Sequence, residues 1–345
     1  MYQNSGERKM SKRSFEVDVP VKFNIWIRPE LQEKQFEAIK KAAPSILFIQ
    51  SDGGRNDKEW EAILKNRKMI DEGIDWDCTV YRLYEDHNNG LYAMGAKMSA
   101  LVWDTVDYCI FLEDDDIPAV SFFHFCKELL EKYKDDCRIF GICGFNPDNV
   151  TPEVKSDYFF TGEANPWGTA TWKRAMNLRK ESFEYLSDDY VKKLMRVHLG
   201  NRTFKRAIAC AKNGTIDGHP VGNEFLRGIS RATQNALYIF PTRNLISNYG
   251  CGVDSVHSNS YNTLTRSEKK LFYSPVYEID HEIIHPRYVI RDVLFEKRAR
   301  NSSGVGKPFL RLYRRTVKAI KIVYYQGVSG LTYKFKRLKR NRHEK

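Results

Sequence analysis

Residues 108–118 read Tyr-Cys-Ile-Phe-Leu-Glu-Asp-Asp-Asp-Ile-Pro. The run Tyr108–Leu112 predicts a buried strand, and it leads straight into four adjacent carboxylates, Glu113, Asp114, Asp115 and Asp116. Neighbouring acids repel one another, and a buried one is costly unless it is paired or metal-bound. A solvent-facing acidic loop is the ordinary reading of such a run. The apolar strand before it argues against that reading. So does the helical stripe after it, Phe122, Phe125, Cys126, Leu129 and Tyr133. Open α/β sheets bind ligands at the carboxyl ends of their strands. Adjacent acids there point in different directions, so one can meet a divalent cation and another a hydroxyl. Carboxylate oxygens suit Mg2+ or Mn2+ bridged to phosphates.

Outward from this stretch, strand-like and helix-like segments alternate. Val21–Ile27 predicts a first strand, and Pro29 suits the first turn of a helix with Leu31, Phe36 and Ile39 on its core face. Ser45–Gln50 predicts a second strand, stopped by Ser51-Asp52-Gly53-Gly54, and Cys78–Leu83 a third. Asn88-Asn89-Gly90 is a turn signal, followed by Leu91, Met94, Met98 and Leu101 at helical spacing. Arg138–Ile142 predicts a fifth strand and Ala236–Phe240 a later one. The pattern predicts an α/β fold with a mostly parallel central sheet flanked by helices. Beyond about residue 150 it breaks into aromatic, glycine-rich and polar segments without a clean boundary. The expected organisation is a flexible stretch over 1–20, one elaborated domain over 21–295 and a basic tail over 296–345. The domain divides near 145 into a donor half and an acceptor half.

Polar residues recur at the same sheet edge. Asn24 and Arg28 follow the first strand, Asp52 to Arg55 the second, and Asp86 to Gly90 the third. Asp52 could accept hydrogen bonds from a base, and Arg28 or Arg55 could pair with phosphate. Each alone reads as a turn or surface residue; together they mark one edge. The motifs that are absent also count. There is no G-x-G-x-x-G after the first strand, no P-loop, no G-x-S-x-G elbow and no H-E-x-x-H. A nucleotide diphosphate held by acids and a metal remains.

The formal charge of +12 over 345 residues misleads if read whole. Residues 297–345 hold 16 basic side chains and one acidic, a net of +15, so the rest carries −3. The body is therefore not a nucleic-acid binder by charge. Seven cysteines without Cys-x-x-Cys spacing read as buried thiols in a reducing, cytoplasmic setting. No run is long and apolar enough to span a membrane.

Several blocks in order resemble the GT-A glycosyltransferases, in the bacterial branch related to family 2 enzymes of surface-polysaccharide biosynthesis. They are Asn24–Pro29, Asp52–Arg55, Asn89–Leu91, Leu112–Pro118, Arg138–Phe145, Trp167–Trp172 and Asn244–Gly250, followed by His257. The acidic strand end is also similar to that of the Golgi N-acetylglucosaminyltransferase that starts N-glycan branching. The resemblance covers roughly residues 21–260. It implies a nucleotide-sugar site in which Asp52 contacts the base and Arg28, Arg55 and Asn89 lie near the nucleotide. Glu113 and Asp114 would hold ribose or donor sugar. Asp115 would be the direct metal ligand, with Asp116 as a second metal residue and His257 reaching back to metal or diphosphate. Trp167 would flank the sugar. The sequence departs from the family at Thr169, where tryptophan is usual, so donor and acceptor identity do not carry over.

The resemblance further implies transfer from a nucleotide-diphosphate sugar, UDP-linked by preference and GDP-linked as the other choice. Inversion would need a carboxylate base facing the acceptor hydroxyl. Glu224, where His219–Asn223 enters a helix, is the candidate, with Asp254 and Asp217 as rivals. A first-turn glutamate favouring the helix dipole is its ordinary reading. The acceptor would be a saccharide or lipid-linked oligosaccharide. Residues 307–345 predict a basic amphipathic segment on an anionic membrane surface, at the inner face of the cytoplasmic membrane. Nucleic acid is the less favoured partner of this tail, and oligomeric state stays open. Two other classes compete: a nucleotidyltransferase acting on sugar phosphates, and a non-catalytic carbohydrate-binding protein at the membrane.

Overall fold

A computed structural model describes residues 12–165, 167–178, 183–216, 219–221, 223–251, 261–303, 309–310, 312–314, 316–325 and 327. The first half alternates strand and helix as expected. β1 (Val17–Asn24) leads to α1 (Pro29–Ala42), β2 (Pro44–Ser51), α2 (Asp57–Gly73) and β3 (Thr79–Tyr84). α3 (Leu91–Thr105), β4 (Tyr108–Leu112), β5 (Asp116–Pro118), α4 (Ser121–Lys132) and β6 (Ile139–Cys143) follow. β4 has the predicted bounds. β1 starts earlier than predicted, inside the stretch expected to be frayed, because Val17 and Val19 are buried and Arg13 pairs with Asp75. Pro20 is tolerated in this central strand. It falls where the ladder to β2 shifts register and where β4 has not begun to pair.

The second half adds β7 (Tyr158–Thr161), β8 (Thr169–Trp172), α5 (Lys173–Asn177), α6 (Asp189–Asn213), β9 (Thr215–Ile216) and β10 (His219–Pro220). α7 (Asn223–Thr233), β11 (Leu237–Pro241), β12 (Ile246–Asn248), α8 (Arg266–Lys269) and α9 (Val293–Ser303) complete it. Eight strands form one sheet in the order β3-β2-β1-β4-β8-β6-β11-β7. β3, β2, β1 and β4 run parallel, as do β6 and β11, while β8 and β7 run against their neighbours. The sheet is thus predominantly parallel, with helices on both faces. α1, α2 and α4 cover one face with Phe36, Ile39, Ile70, Phe122, Phe125 and Leu129. Met98 and Val102 of α3 cover the other, against Phe48 and Cys109.

Three features position the site. β12 pairs antiparallel with β5, setting Asn248 opposite Asp116 and drawing the late chain across the acidic strand end. α7 packs on α6 through Ile229, Ala232, Phe204 and Ala207. Residues 275–291 run without regular structure around α4, where the Glu278 carboxylate accepts from the N–H groups of Val120 and Ser121. Among the described residues all seven cysteines are free and no helix is long and apolar enough to cross a membrane.

Candidate active site

The acidic run leaves β4 and turns back immediately into β5, so its four carboxylates fan out from one point. α1 holds the backbone of this turn. Gln35 Nε2 donates to the carbonyls of Glu113 (2.5 Å) and Asp116 (2.7 Å), and Gln32 Nε2 donates to that of Asp114 (3.2 Å). Both glutamines are fully buried, where an unpaired amide would be costly. The turn is therefore clamped by α1, with Glu113 exposed, Asp114 and Asp115 half-buried and Asp116 buried.

Asp114 and Asp115 converge on one cation. Arg28 Nη1 lies 3.1 Å from Asp115 Oδ2 and 3.4 Å from Asp114 Oδ2. Asn248 Nδ2 donates to Asp115 Oδ1 at 2.7 Å and to Asp116 Oδ1 at 3.2 Å. Gly250 comes so close that a Cβ there would fall 2.7 Å from Asp115 Cγ. Asp116 is placed differently. It is completely buried, and its Oδ2 accepts from the N–H of Gly168 (2.9 Å) and Glu113 (3.1 Å). It ties three chain segments together, and its oxygens are already supplied with donors.

Like charge and burial shift the cluster together. Burial, then the Asp115 and Glu224 carboxylates, push Glu113 up to about 7, with Lys22 pulling the other way. Glu113 is nevertheless exposed to solvent. Burial raises Asp114 to about 6 against the opposing pull of Arg28. Burial, Asp115 and Glu113 hold Asp116 well above the ordinary carboxylate range. Lys22, on β1, is the half-buried counter-charge. Burial lowers its ammonium to about 8, while Glu113 heads the groups that favour its charge. Its Nζ donates to Asn24 Oδ1, two residues along on the same face of the strand.

The other predicted residues divide. Glu224 lies in the first turn of α7, exposed, and near enough to Glu113 to repel it. Asp52 is occupied by its own neighbourhood. Its oxygens accept from the N–H of Gly53 (2.9 Å), Asn89 (2.9 Å) and Gly90 (2.8 Å), which fastens the turn after β3 to the end of β2. Asn89 thereby serves that turn. Arg55 pairs with Glu59 at 2.6 Å and lies over the Trp26 ring at 4.9 Å. Trp167 packs edge-on against Phe145 and beside Phe272, at the mouth next to Gly168. Asp254, His257 and Asp217 lie outside the described residues.

Sequence reasoning passed over Lys22, Gln32, Gln35, Asn248, Gly250 and Trp26. Asn248 and Gly250, in the block Asn244–Gly250, and Trp26, in the block Asn24–Pro29, carried a signal; Lys22, Gln32 and Gln35 carried none. The Trp26 indole N–H is buried and has no hydrogen-bond partner among the described residues, and the Arg55 guanidinium lies over its ring. Among the described residues no group of three or more His, Cys, Asp or Glu side chains could hold a metal ion by itself. Mg2+ commonly uses one or two carboxylates and completes its shell with water and substrate phosphate. The Asp114 and Asp115 oxygens turned to one cation fit that use.

No protein-family model matches the chain, and no curated protein matches it. Among solved structures the chain is similar to the mannosyltransferase PcManGT from Pyrobaculum calidifontis, in complex with GDP-Man and Mn2+. The TM-score is 0.34 and the identity 12%, over 67% of this chain and 73% of that one. A likeness of that extent carries nothing about substrate, metal or mechanism.

Proposed function

We propose that this protein is a metal-dependent glycosyltransferase of GT-A type that transfers a sugar from a nucleotide-diphosphate donor with inversion. The observation that carries this reading is one constellation. Asp114 and Asp115 are turned to a common cation at a strand end, and Glu224, in the first turn of α7, adds its negative charge to that felt by Glu113. In this reading Asp115, supported by Asn248 and Arg28, holds Mn2+ or Mg2+, which supplies charge neutralisation for the leaving diphosphate. Arg28 adds a second positive charge there. Glu113 and Asp114, raised toward neutrality, can donate to or accept from sugar and ribose hydroxyls. Trp26 and Arg55 line the nucleotide side, and Asp52 fixes its turn. Glu224 takes the proton of the acceptor hydroxyl as that oxygen attacks the anomeric carbon. Asp116 is a positioning residue, because its oxygens serve Asn248, Gly168 and Glu113.

A UDP-sugar is the favoured donor and a GDP-sugar the other candidate. The acceptor is a saccharide or lipid-linked oligosaccharide of surface-polysaccharide biosynthesis, met at the inner face of the cytoplasmic membrane. The test is release of nucleoside diphosphate from a panel of nucleotide sugars with Mn2+, comparing wild type with Glu224→Gln. Loss of a general base lowers kcat by about 10²–10⁴-fold while donor binding persists. Turnover in Glu224→Gln within a few-fold of wild type would reject Glu224 as the base. Formation of nucleotide sugar from sugar phosphate and nucleotide would favour the nucleotidyltransferase class.

A further inference from the structure

The described residues from 309 to 325 are helical, and this helix is mounted in an unusual sense. Helical residues follow one another at about 100°. Phe309, Leu312, Tyr313, Ile320, Val323 and Tyr324 therefore share one face, and all six are exposed, Phe309 at 85% and Tyr324 at 81%. The opposite face meets the body. Lys318 Nζ pairs with Glu268 at 2.7 Å, Lys321 Nζ donates to the carbonyl of Leu264 at 2.7 Å, and Ile322 is buried. A surface helix of a globular protein ordinarily turns its apolar face inward. Here the lysines are turned inward and the apolar face outward.

We propose that this outward face docks on an anionic lipid surface. Two features select that occupant. The aromatic and aliphatic residues form the shallow apolar stripe of an interfacial helix, with no room for a spanning one. The segment 297–345 around it carries 16 basic residues against one acidic, which complements anionic headgroups. The docked helix is also joined to the site. Glu268 and Leu264 belong to the block that continues into Phe272 and Tyr273. Tyr273 N–H donates to the Asn248 carbonyl at 3.0 Å, and Asn248 holds Asp115 and Asp116. A lipid surface under the tail helix thus bears on the same segment, 264–273, that hydrogen-bonds to Asn248 beside the acidic cluster. This inference rests on the glycosyltransferase reading only for its consequence, delivery of a lipid-linked acceptor; the docking itself is independent.

The experiment uses the full chain. Co-sedimentation with phosphatidylcholine vesicles, with and without phosphatidylglycerol, is compared for wild type and the double variant Leu312→Glu/Ile320→Glu. Both positions are mostly exposed, so the fold is retained, and an unchanged thermal midpoint checks this. The expected result is binding to the phosphatidylglycerol vesicles that weakens with salt and falls about tenfold or more in the variant. Nucleotide-sugar binding stays equal in both proteins. Three results would overturn the docking: no binding of wild type to anionic vesicles, equal binding by the variant, or a wild-type dimer that the variant dissociates with lipid binding unaffected. Failure of the glycosyltransferase reading would instead appear as lipid binding without any nucleotide-sugar binding.

Discussion

Gly250→Ala is the smallest change that reaches the centre of the site. A methyl group there overlaps Asp115 Oδ2 and falls 2.7 Å from Asp115 Cγ and 3.0 Å from Asn248 Oδ1. Carbon atoms rest at about 3.5–4.0 Å, so the carboxylate or the chain at 248–250 must move by about 1 Å. Gly250 is not among the glycines with positive φ, so the substitution adds no backbone strain and acts by contact alone. A displacement of about 1 Å in a positioned catalytic group can cost on the order of 10²-fold in rate. The expected outcome is therefore turnover of the preferred nucleotide sugar reduced by about 10²-fold, with a loss of about 1–3 kcal/mol of stability from overpacking at this buried position. Gly95→Ala is the matched control. Gly95 lies inside α3 with nothing within 4 Å of a built Cβ. That variant keeps full turnover and gains about 0.8–1.0 kcal/mol from helix propensity. Activity of Gly250→Ala within a few-fold of wild type, at unchanged Mn2+ dependence, would refute the claim that Asp115 must sit where it does.

Asn248→Ala removes the donor shared by Asp115 and the buried Asp116, and should lower stability by about 1–3 kcal/mol, read as the urea midpoint. An unchanged midpoint would show that Asp116 finds another partner. Gln35→Leu strips two buried carbonyls of their donor and should cost a similar amount, with loss of donor binding because the acidic turn is released. The pH dependence has a definite sign. Glu113 is raised to about 7 and Asp114 to about 6, so across the range above their ordinary values the folded chain keeps protons that the unfolded chain has released. Their contribution is present below the unfolded values and is lost as pH rises through the folded ones. Without added metal, Glu113→Gln should therefore flatten the fall in thermal midpoint between about pH 4.5 and pH 7 relative to wild type. A steeper fall in the variant would contradict the assignment.

β4 and the acidic turn were legible because Tyr108–Leu112 and Glu113–Asp116 are adjacent in sequence and opposite in polarity. The parallel half of the sheet was legible for a similar reason, since each strand and its helix are neighbours. β8 was not. Its four residues, Thr169–Trp172, lie in a stretch of glycine, proline and aromatics with too few positions to show an alternation. Asn248 reaches the site only through the β5–β12 pairing, a contact across 132 residues that no local pattern announces. Gln32 and Gln35 look like the solvent face of α1 until the acidic turn is laid over them. Lys22 looks like the polar half of an alternating strand, and only its position beside Glu113 gives it a role. Asp52 shows the reverse. Its place at a strand end invited a ligand contact, but the nearest unsatisfied donors are backbone N–H groups of the turn after β3, and these claim its oxygens.

The most direct test of the central claim is saturation-transfer NMR of the full chain against a panel of nucleotide sugars, with and without Mn2+, for wild type and Asp115→Ala. The account predicts that one UDP- or GDP-sugar binds wild type in a Mn2+-dependent way and that Asp115→Ala, still folded, loses this binding. Binding that is indifferent to both Mn2+ and Asp115, or no binding of any nucleotide sugar by folded wild type, would contradict it.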